Sequence, residues 1–246
     1  MITALIIGRA GSSGIPGKNI LKILDRPMMA YPLLAAQNSK YCEKIFVSTD
    51  CQNISEIGRR YNAQIIDRPD YLASNEALAE DAYIHGYEQI RKTINQEPEF
   101  LILMFCNGAT VLSKYIDEAV ELLRADPNLD SVTTASEYNM FSPLRAKKID
   151  ENGKLIPFVP VEYFGEDASC DRGSQGDVWF ADCSLFVVRP HCMNKRNGYP
   201  PFTWLGKNVK PLKQVGGQDI DSEWQVPIVE HWLRKNGFGI DYTPYK

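Results

Sequence analysis

The sequence predicts an α/β fold in which a mostly parallel, twisted sheet is flanked by helices. Short apolar runs that are typical of buried strands alternate with longer segments whose apolar residues recur at helical spacing. This alternation favours parallel strands covered on both faces. The length of 246 residues suits one such domain. The predicted strands are 4–7, 44–50, 63–66, the start of 98–110, 129–138 and the end of 163–190, and the predicted helices lie in 28–40, 51–61, the end of 67–90, 113–125 and 222–235.

The first predicted strand runs into a glycine-rich stretch, residues 8–18, around which we expect the functional site to be built. The stretch contains four glycines, two serines, Arg9 and Lys18. Glycines allow the backbone to turn tightly and approach a ligand, and successive free N–H groups bind anions. The two cations add positive charge, so the stretch suits a phosphate group. It matches neither the P-loop nor the dinucleotide-binding motif, and a glycine-rich surface turn is the alternative.

Composition and charge argue against several classes of protein. A net charge of −4 with scattered basic residues gives no support to nucleic-acid binding. No apolar run approaches the roughly 20 residues that span a bilayer, and the first strand begins without a cleavable leader, so we expect a cytoplasmic protein without a membrane segment. The six cysteines and three histidines are dispersed without a CxxC pair, so we interpret all nine as structural rather than as zinc ligands.

The glycine-rich stretch GRAGSSGIPGKN resembles the signature loop of the CMP-sugar synthetases, cytidylyltransferases that activate sialic acid and related 2-keto sugar acids. The loop of that family reads approximately A-R-x-G-S-K-G-I-P-x-K-N. The chain departs from it at Ser13, where the family usually carries a lysine, and so lacks one positive charge at the triphosphate site. The matching positions are Arg9, Gly11, Ser12, Gly14, Ile15, Pro16, Lys18 and Asn19.

The resemblance continues through VSTD in the second predicted strand and the segment RPDYLAS at 68–74. In the family, small residues of this segment pack against the cytosine base. The resemblance therefore implies that Ala77 and Ala79 contact the base. The alternative is an ordinary helix N-terminus capped by Ser74 or Asn75.

A pair of aspartates near the C-terminus is the second motif. Asp219 and Asp221 alternate around Ile220, so in an extended backbone both carboxylates lie on one side. Two hard oxygen donors of this kind suit a Mg²⁺ ion that keeps its waters and bridges substrate phosphates. The segment also resembles the metal-binding D-I-D-[ST] element of the CMP-sugar synthetases. The alternative is a capping arrangement in which Asp221 or Ser222 starts the following helix.

The acceptor side of the predicted site departs most from the family. Sialate-type enzymes carry Q-P-T-S-P-L-R where this chain has its 105–112 loop, and R-P-N-G where this chain has Phe180 and the three residues after it. Asn107 follows a predicted strand, where a ligand crevice of an open α/β sheet lies. Arg145 occupies a position that resembles the basic residue of the family's H-P-x-K element. We predict that Asn107 binds the acceptor, with Arg145 or Arg172 replacing the lost arginine.

The segment 141–160 reads as a β-ribbon that turns at 151–153. The resemblance implies that such a ribbon, inserted at about 139–180, makes the contact of a homodimer. No shift in composition marks an independent unit, so we treat 1–246 as a single cytidylyltransferase domain of the Rossmann-like nucleotidyltransferase type.

The resemblance implies an enzyme that transfers CMP from CTP to a sialic-acid-like 2-keto acid and releases pyrophosphate, with Mg²⁺ as its cofactor. Asp219 and Asp221 are the implied metal ligands, and Asn19 is expected to read the edge of the cytosine. The predicted nucleotide-binding residues are Arg9, Gly11, Ser12, Ser13, Lys18, Asn19, Ala77 and Ala79, and the predicted catalytic residues are Arg9, Lys18 and Asp221.

Two alternatives remain open at this point. One is a CTP-dependent transferase with another acceptor, such as a Kdo-like acid or a phosphonate. The other is a nucleotide-binding protein without turnover, which the departures at Ser13, 105–112 and Phe180 would allow.

Overall fold

A computed structural model describes residues 1–11, 14–166, 168–171, 174–195 and 197–245 of the chain. Within these ranges the strands are β1 (Ile2–Ile7), β2 (Lys22–Ile23), β3 (Arg26–Pro27), β4 (Lys44–Thr49), β5 (Gln64–Asp67), β6 (Phe100–Phe105), β7 (Ser131–Glu137), β8 (Lys147–Ile149), β9 (Leu155–Pro157), β10 (Trp179–Val188) and β11 (Val209–Gln214). The helices are α1 (Ala30–Gln37), α2 (Gln52–Arg60), α3 (Ala79–Ile94), α4 (Ser113–Ala125), α5 (His191–Lys195) and α6 (Val226–Lys235).

Seven strands form one sheet across the described ranges, in the order β11-β7-β10-β6-β1-β4-β5. Strand β1 lies parallel to β4 and β6, β5 lies parallel to β4, and β11 lies parallel to β7. Strand β10 is antiparallel to both of its neighbours. The prediction of a mostly parallel sheet flanked by helices is therefore confirmed. The reversed β10 and the edge strand β11 are features that the sequence patterns do not indicate.

Strand β1 lies inside the sheet and is buried along its whole length. Its side chains alternate between two apolar cores, as strand geometry requires. Ile2, Ala4 and Ile6 pack in the core beneath α1, α2 and α4. Leu5 and Ile7 pack in the opposite core, which contains residues of α3 and α5. Burial on both faces explains why the first strand reads as an unbroken apolar run rather than an alternating one.

A third apolar cluster joins the glycine-rich stretch to the aspartate pair. Ile15 from the stretch and Ile220 from between the two aspartates belong to the same cluster as Val229 and Trp232 of α6. Their burial fixes one loop against the other. The cluster thus brings together two motifs that lie about 200 positions apart in the sequence.

The predicted β-ribbon is present as the antiparallel pair β8 and β9. It carries exposed large apolar side chains, among them Ile149 and Leu155, each more than 70% exposed, and the nearby Tyr163 at 76%. Apolar surface of this extent on one element is typical of a contact surface. The ribbon itself is confirmed, whereas its role in a homodimer stays a prediction.

None of the helices in the described ranges combines the length and apolar character needed to cross a membrane.

Candidate active site

A crevice with a volume of about 290 Å³ opens at the carboxyl ends of β1 and β6. This is the edge of an open α/β sheet where ligands bind. The glycine-rich stretch, the segment before α3 and Asp221 of the aspartate pair all reach it. Eight of the predicted site residues line the crevice: Arg9, Gly11, Lys18, Asn19, Ala77, Ala79, Asn107 and Asp221.

Arg9 ties the glycine-rich stretch to the segment that precedes α3. Its Nη1 donates to the backbone oxygens of Ala73 and Ser74, at 3.2 and 3.0 Å, and to Oδ1 of Asn75 at 2.8 Å. The helix α3 begins after Leu78, and no side chain caps it. The alternative that Ser74 or Asn75 serves as a helix cap is therefore wrong, because this segment is held by Arg9 at the rim of the crevice.

Lys18 and Asp221 meet at the centre of the site. The Lys18 ammonium donates a hydrogen bond to Oδ1 of Asp221 and forms an ion pair with it. The backbones approach closely here too, because a Cβ on Gly14 would collide with the backbone oxygen of Asp221. Glycine at position 14 is thus required for the two loops to touch.

Asn19 is buried at the base of the glycine-rich stretch. Its Nδ2 donates to the backbone oxygen of Arg9 at 3.1 Å, which braces the loop. One of the two amide N–H groups is thus engaged, and Asn19 can offer its amide oxygen and its second N–H to a ligand. Ala77 and Ala79 line the same crevice with small side chains that leave room for a flat ring.

The two aspartates differ in their surroundings. Asp219 is half-buried, and Nδ2 of Asn107 donates to its Oδ2 at 3.1 Å, whereas Asp221 is exposed. Burial, and next the charge of Asp221, raise the pKa of Asp219 to about 6. A desolvated carboxylate beside a second carboxylate is a site that a divalent cation would stabilise. The donor set therefore fits Mg²⁺.

The backbone around the aspartates is held by side chains that sequence reasoning missed. The Gln225 side-chain oxygen accepts from the N–H groups of Asp221 and Ser222, both at 2.7 Å, and its nitrogen donates to the backbone oxygen of Asp219. Ser222 caps the short 3₁₀ turn Glu223–Gln225 through a capping box, so Ser222 rather than Asp221 takes the capping role. The Ser-x-x-Gln spacing is the signal that could have identified Gln225.

Asn107 acts mainly as a support for the aspartate pair. Besides Asp219, its Nδ2 donates to the backbone oxygen of Ile220 at 3.0 Å, and its own backbone oxygen accepts from the N–H of Ile220 at 3.2 Å. Asn107 lines the crevice as predicted. Its amide nitrogen is engaged, so any contact with an acceptor would involve its oxygen.

Arg68 is a crevice residue that sequence reasoning overlooked. Its side chain is buried, and Nη2 donates to the backbone oxygen of Ser48 at 2.6 Å. Burial lowers the pKa of this guanidinium from its ordinary value. The group nevertheless stays charged, because an arginine pKa starts from a very high value. A buried cation that lines this crevice suits an anionic ligand. The position of the Arg-Pro pair directly after β5 is the signal that could have indicated it.

The predicted acceptor residues are not all brought to the crevice. Arg145 lies at the base of the ribbon, where its Nη2 donates to the backbone oxygen of Cys170 at 2.7 Å, and it lines a separate groove with Met140 and Phe141. Ser12, Ser13 and Arg172 lie outside the described residues. Arg145 does not line the crevice in this structure.

A separate group of possible metal ligands lies at the opposite edge of the sheet. Asp130, His191 and Cys192 place ligand atoms within 4.8 Å of one another. The Asp130 carboxylate already accepts from the N–H groups of Lys207 and Asn208 and pairs with His191. These hydrogen bonds connect the start of β7 to the segment before β11, so the cluster has a structural role. This agrees with the structural interpretation of His191 and Cys192.

Comparison with known proteins matches the model of the cytidylyltransferase family to residues 3–148. The chain is 30% identical to the N-acylneuraminate cytidylyltransferase of Escherichia coli over 192 residues, which are 77% of this chain and 44% of that protein. It is 40% identical to the post-translational flagellin modification protein B of Campylobacter coli over 95% of both chains. It is 41% identical to the CMP-N,N'-diacetyllegionaminic acid synthase of Legionella pneumophila over 63% of this chain and 66% of that one.

Among solved structures, the chain is similar to a CMP:2-keto-3-deoxy-manno-octonic acid synthetase complexed with CTP. The TM-score is 0.67 at 13% identity, over 95% of this chain and 98% of that one. At this identity the likeness shows the fold alone. The resemblance of the glycine-rich stretch to the CMP-sugar synthetases is confirmed by the family match and by the names of these relatives. The chain spans less than half of the Escherichia coli protein.

Proposed function

Because the chain belongs to the cytidylyltransferase family, we propose that it transfers CMP from CTP to a sialic-acid-like 2-keto sugar acid and releases pyrophosphate. The observation that carries this proposal is the meeting of Lys18 with Asp221. One belongs to a cationic, glycine-rich loop that suits phosphates, and the other to a carboxylate pair that suits a divalent cation. Nucleotidyl transfer needs both kinds of group at one point.

The phosphate end of the crevice carries three cationic side chains. Arg9, Lys18 and Arg68 would neutralise the triphosphate, and Lys18 would exchange its contact with Asp221 for a phosphate oxygen. The acceptor hydroxyl gives up its proton to solvent, and its oxygen forms the new bond to the α-phosphorus. The bond from that phosphorus to the bridging oxygen breaks, and pyrophosphate carries away the electron pair. Positioning and neutralisation of the phosphate charge account for catalysis of this type.

The aspartate pair would hold Mg²⁺, since Asp219 and Asp221 supply two hard oxygens and the nucleotide phosphates and waters can supply the rest. When bound, the ion would withdraw charge from the phosphates and acidify the acceptor hydroxyl. Asn107 holds the Asp219 carboxylate, and Gln225 holds the backbone of both aspartates.

The base end of the crevice suits cytosine. The Asn19 side-chain oxygen can accept from the 4-amino group, which uracil lacks. Ala77 and Ala79 would pack on the ring. These contacts support CTP as the nucleotide.

The acceptor end is less complete within one chain. A sugar carboxylate is best recognised by a guanidinium, and the candidates are Arg145 and Arg172. The exposed apolar side chains of the ribbon support a homodimer, in which Arg145 of one protomer would serve the crevice of the other.

Six free cysteines support a reducing, cytoplasmic location.

Pyrophosphate release tests this function directly. We expect release with CTP and Mg²⁺ in the presence of a sialic-acid-like 2-keto acid, with much slower release from ATP, GTP or UTP. If only a Kdo-like acid or a phosphonate supports release, that compound is the acceptor instead, and the altered 105–112 loop would account for the difference. No release with any acid would leave a nucleotide-binding protein and contradict the proposal.

A further inference from the structure

A buried carboxylate lies beneath the segment that carries the two aspartates. Asp182 is 5% exposed and sits where β10 leaves its regular register, between Ala181 and Phe186. The next residue, Cys183, has φ of +59°, a left-handed conformation that is uncommon outside glycine. Such bulges redirect a side chain, and here the irregular backbone turns the Asp182 carboxylate into the protein interior.

Four neutral donors surround this carboxylate. Oδ1 accepts from the hydroxyl of Thr134 at 2.6 Å and from the N–H of Ser184 at 3.2 Å. Oδ2 accepts from the hydroxyl of Ser136 at 2.8 Å and from Nε2 of Gln214 at 2.7 Å. Both hydroxyls donate to the carboxylate, so their oxygens are left to accept hydrogen bonds from other groups.

One route leads from Asp182 to the backbone of Gly217. Because the Ser136 hydroxyl donates its hydrogen bond to Asp182, its oxygen is left to accept a hydrogen bond from the N–H of Gly217 at 2.9 Å. The packing is equally close, because a Cβ at position 217 would collide with Nε2 of Gln214 and Oδ2 of Asp182. The segment therefore rests directly on the carboxylate and its amide partner.

A second route leads to Gln218, the residue before the first aspartate. The Ser184 hydroxyl lies 2.7 Å from the Thr110 hydroxyl, and Nε2 of Gln214 reaches Ser184. The Thr110 oxygen in turn contacts both the N–H and the backbone oxygen of Gln218, at 2.9 and 3.0 Å. Two successive residues ahead of Asp219 are thus anchored to one buried network.

We propose that Asp182 is a positioning residue that, through Ser136 and the Ser184–Thr110 pair, holds the 217–221 segment so that Asp219 and Asp221 can share one divalent cation. The inference rests on the proposed function for the role of that cation. Asp182 does not line the crevice and acts only through other residues. Its removal would loosen the carboxylate pair without removing a group that touches the nucleotide.

The test compares Asp182→Asn with a matched buried aspartate. Asp117 is also buried, accepts from the Ser39 hydroxyl at 2.7 Å and from the N–H of Lys40 at 2.9 Å, and does not line the crevice, so Asp117→Asn is the control. The first readout is the affinity of the nucleotide-free protein for Mn²⁺ alone. It is measured from the decrease in the spin-resonance signal of the free ion. We expect Asp182→Asn to weaken it about tenfold and Asp117→Asn to leave it unchanged.

The second readout is the Mg²⁺ concentration for half-maximal pyrophosphate release, which should rise by about the same factor while CTP affinity without metal stays constant. Ser136→Ala interrupts the first route alone and serves if Asp182→Asn fails to fold. It should weaken Mn²⁺ binding too, and the double variant should be no worse than the worse single variant.

Unchanged Mn²⁺ binding in both variants would overturn the inference, as would equal weakening by Asp117→Asn. An Asp219→Asn variant that binds Mn²⁺ like the parent would overturn it as well, since the ion would then lie elsewhere. Failure of the proposed function looks different. The parent would bind Mn²⁺ and show the variant pattern, yet release no pyrophosphate with any acceptor.

Discussion

The cationic side and the carboxylate side of the crevice are built in different ways. Most of the cationic side comes from one continuous stretch after β1, which includes Arg9, Lys18 and Asn19. The carboxylate side is assembled from β10, the segment after β6 and the 217–221 segment, joined by hydrogen bonds that span 30 to 112 positions. A contiguous loop can be recognised from its letters, whereas an assembled surface becomes visible only after folding.

The largest expected effect comes from a change on the cationic side. Lys18→Ala removes the cation nearest the aspartate pair, so kcat/KM for pyrophosphate release should fall by about 1000-fold. Lys22→Ala, an exposed lysine a few residues further on, is the control and should change the rate little. Comparable rates for the two variants would show that the Lys18–Asp221 contact is only a surface ion pair.

Two arginine variants should affect the KM values of different substrates, which sharpens the comparison. Arg68→Met should raise the KM for CTP about 100-fold, because the buried guanidinium lies in the crevice. Arg145→Ala should instead raise the KM for the acceptor about tenfold and leave that for CTP unchanged. Steady-state kinetics with each substrate varied in turn measure both. An Arg145→Ala variant with parental acceptor kinetics would remove the ribbon from the acceptor site and leave Arg172 as the candidate.

Nucleotide choice should depend on Asn19. Asn19→Ala removes the oxygen proposed to accept from the cytosine amino group, so the preference for CTP over UTP should fall about tenfold. The ratio of the two kcat/KM values reports this even if the overall rate drops through loss of the brace to Arg9. A preserved ratio would place base recognition elsewhere.

The smallest expected effect concerns pH. The pKa of Asp219 is raised to about 6 in the folded protein, so the contribution of Asp219 to the stability of the metal-free chain is greatest below the ordinary aspartate pKa and is lost as pH rises through about 6. This loss, on the order of 3 kcal/mol, should be absent from Asp219→Asn. Urea unfolding of both forms without metal, at several pH values, measures the difference. Parallel pH curves would contradict the burial of the charged group.

The contrast between the two sides also explains which parts could be predicted. The parallel sheet follows from strands that are apolar on both faces, as in β1, and the phosphate loop follows from its glycines and cations. Asp182 could not be assigned, because its partners Ser136 and Gln214 lie on other strands. The left-handed Cys183 stands where the CMP-sugar synthetases have the glycine of R-P-N-G. The sequence shows that a glycine has been replaced there, but it does not show that the backbone is still left-handed.

The fate of the labelled phosphates of CTP tests the central claim, that the cationic loop and the aspartate pair together transfer CMP. The protein is incubated with Mg²⁺, a sialic-acid-like 2-keto acid and CTP labelled at either the α- or the γ-phosphorus. The label at α should appear in a product that contains both CMP and the sugar acid, and the label at γ should appear in pyrophosphate. Label at γ in inorganic phosphate, with CDP as the other product, would contradict the claim.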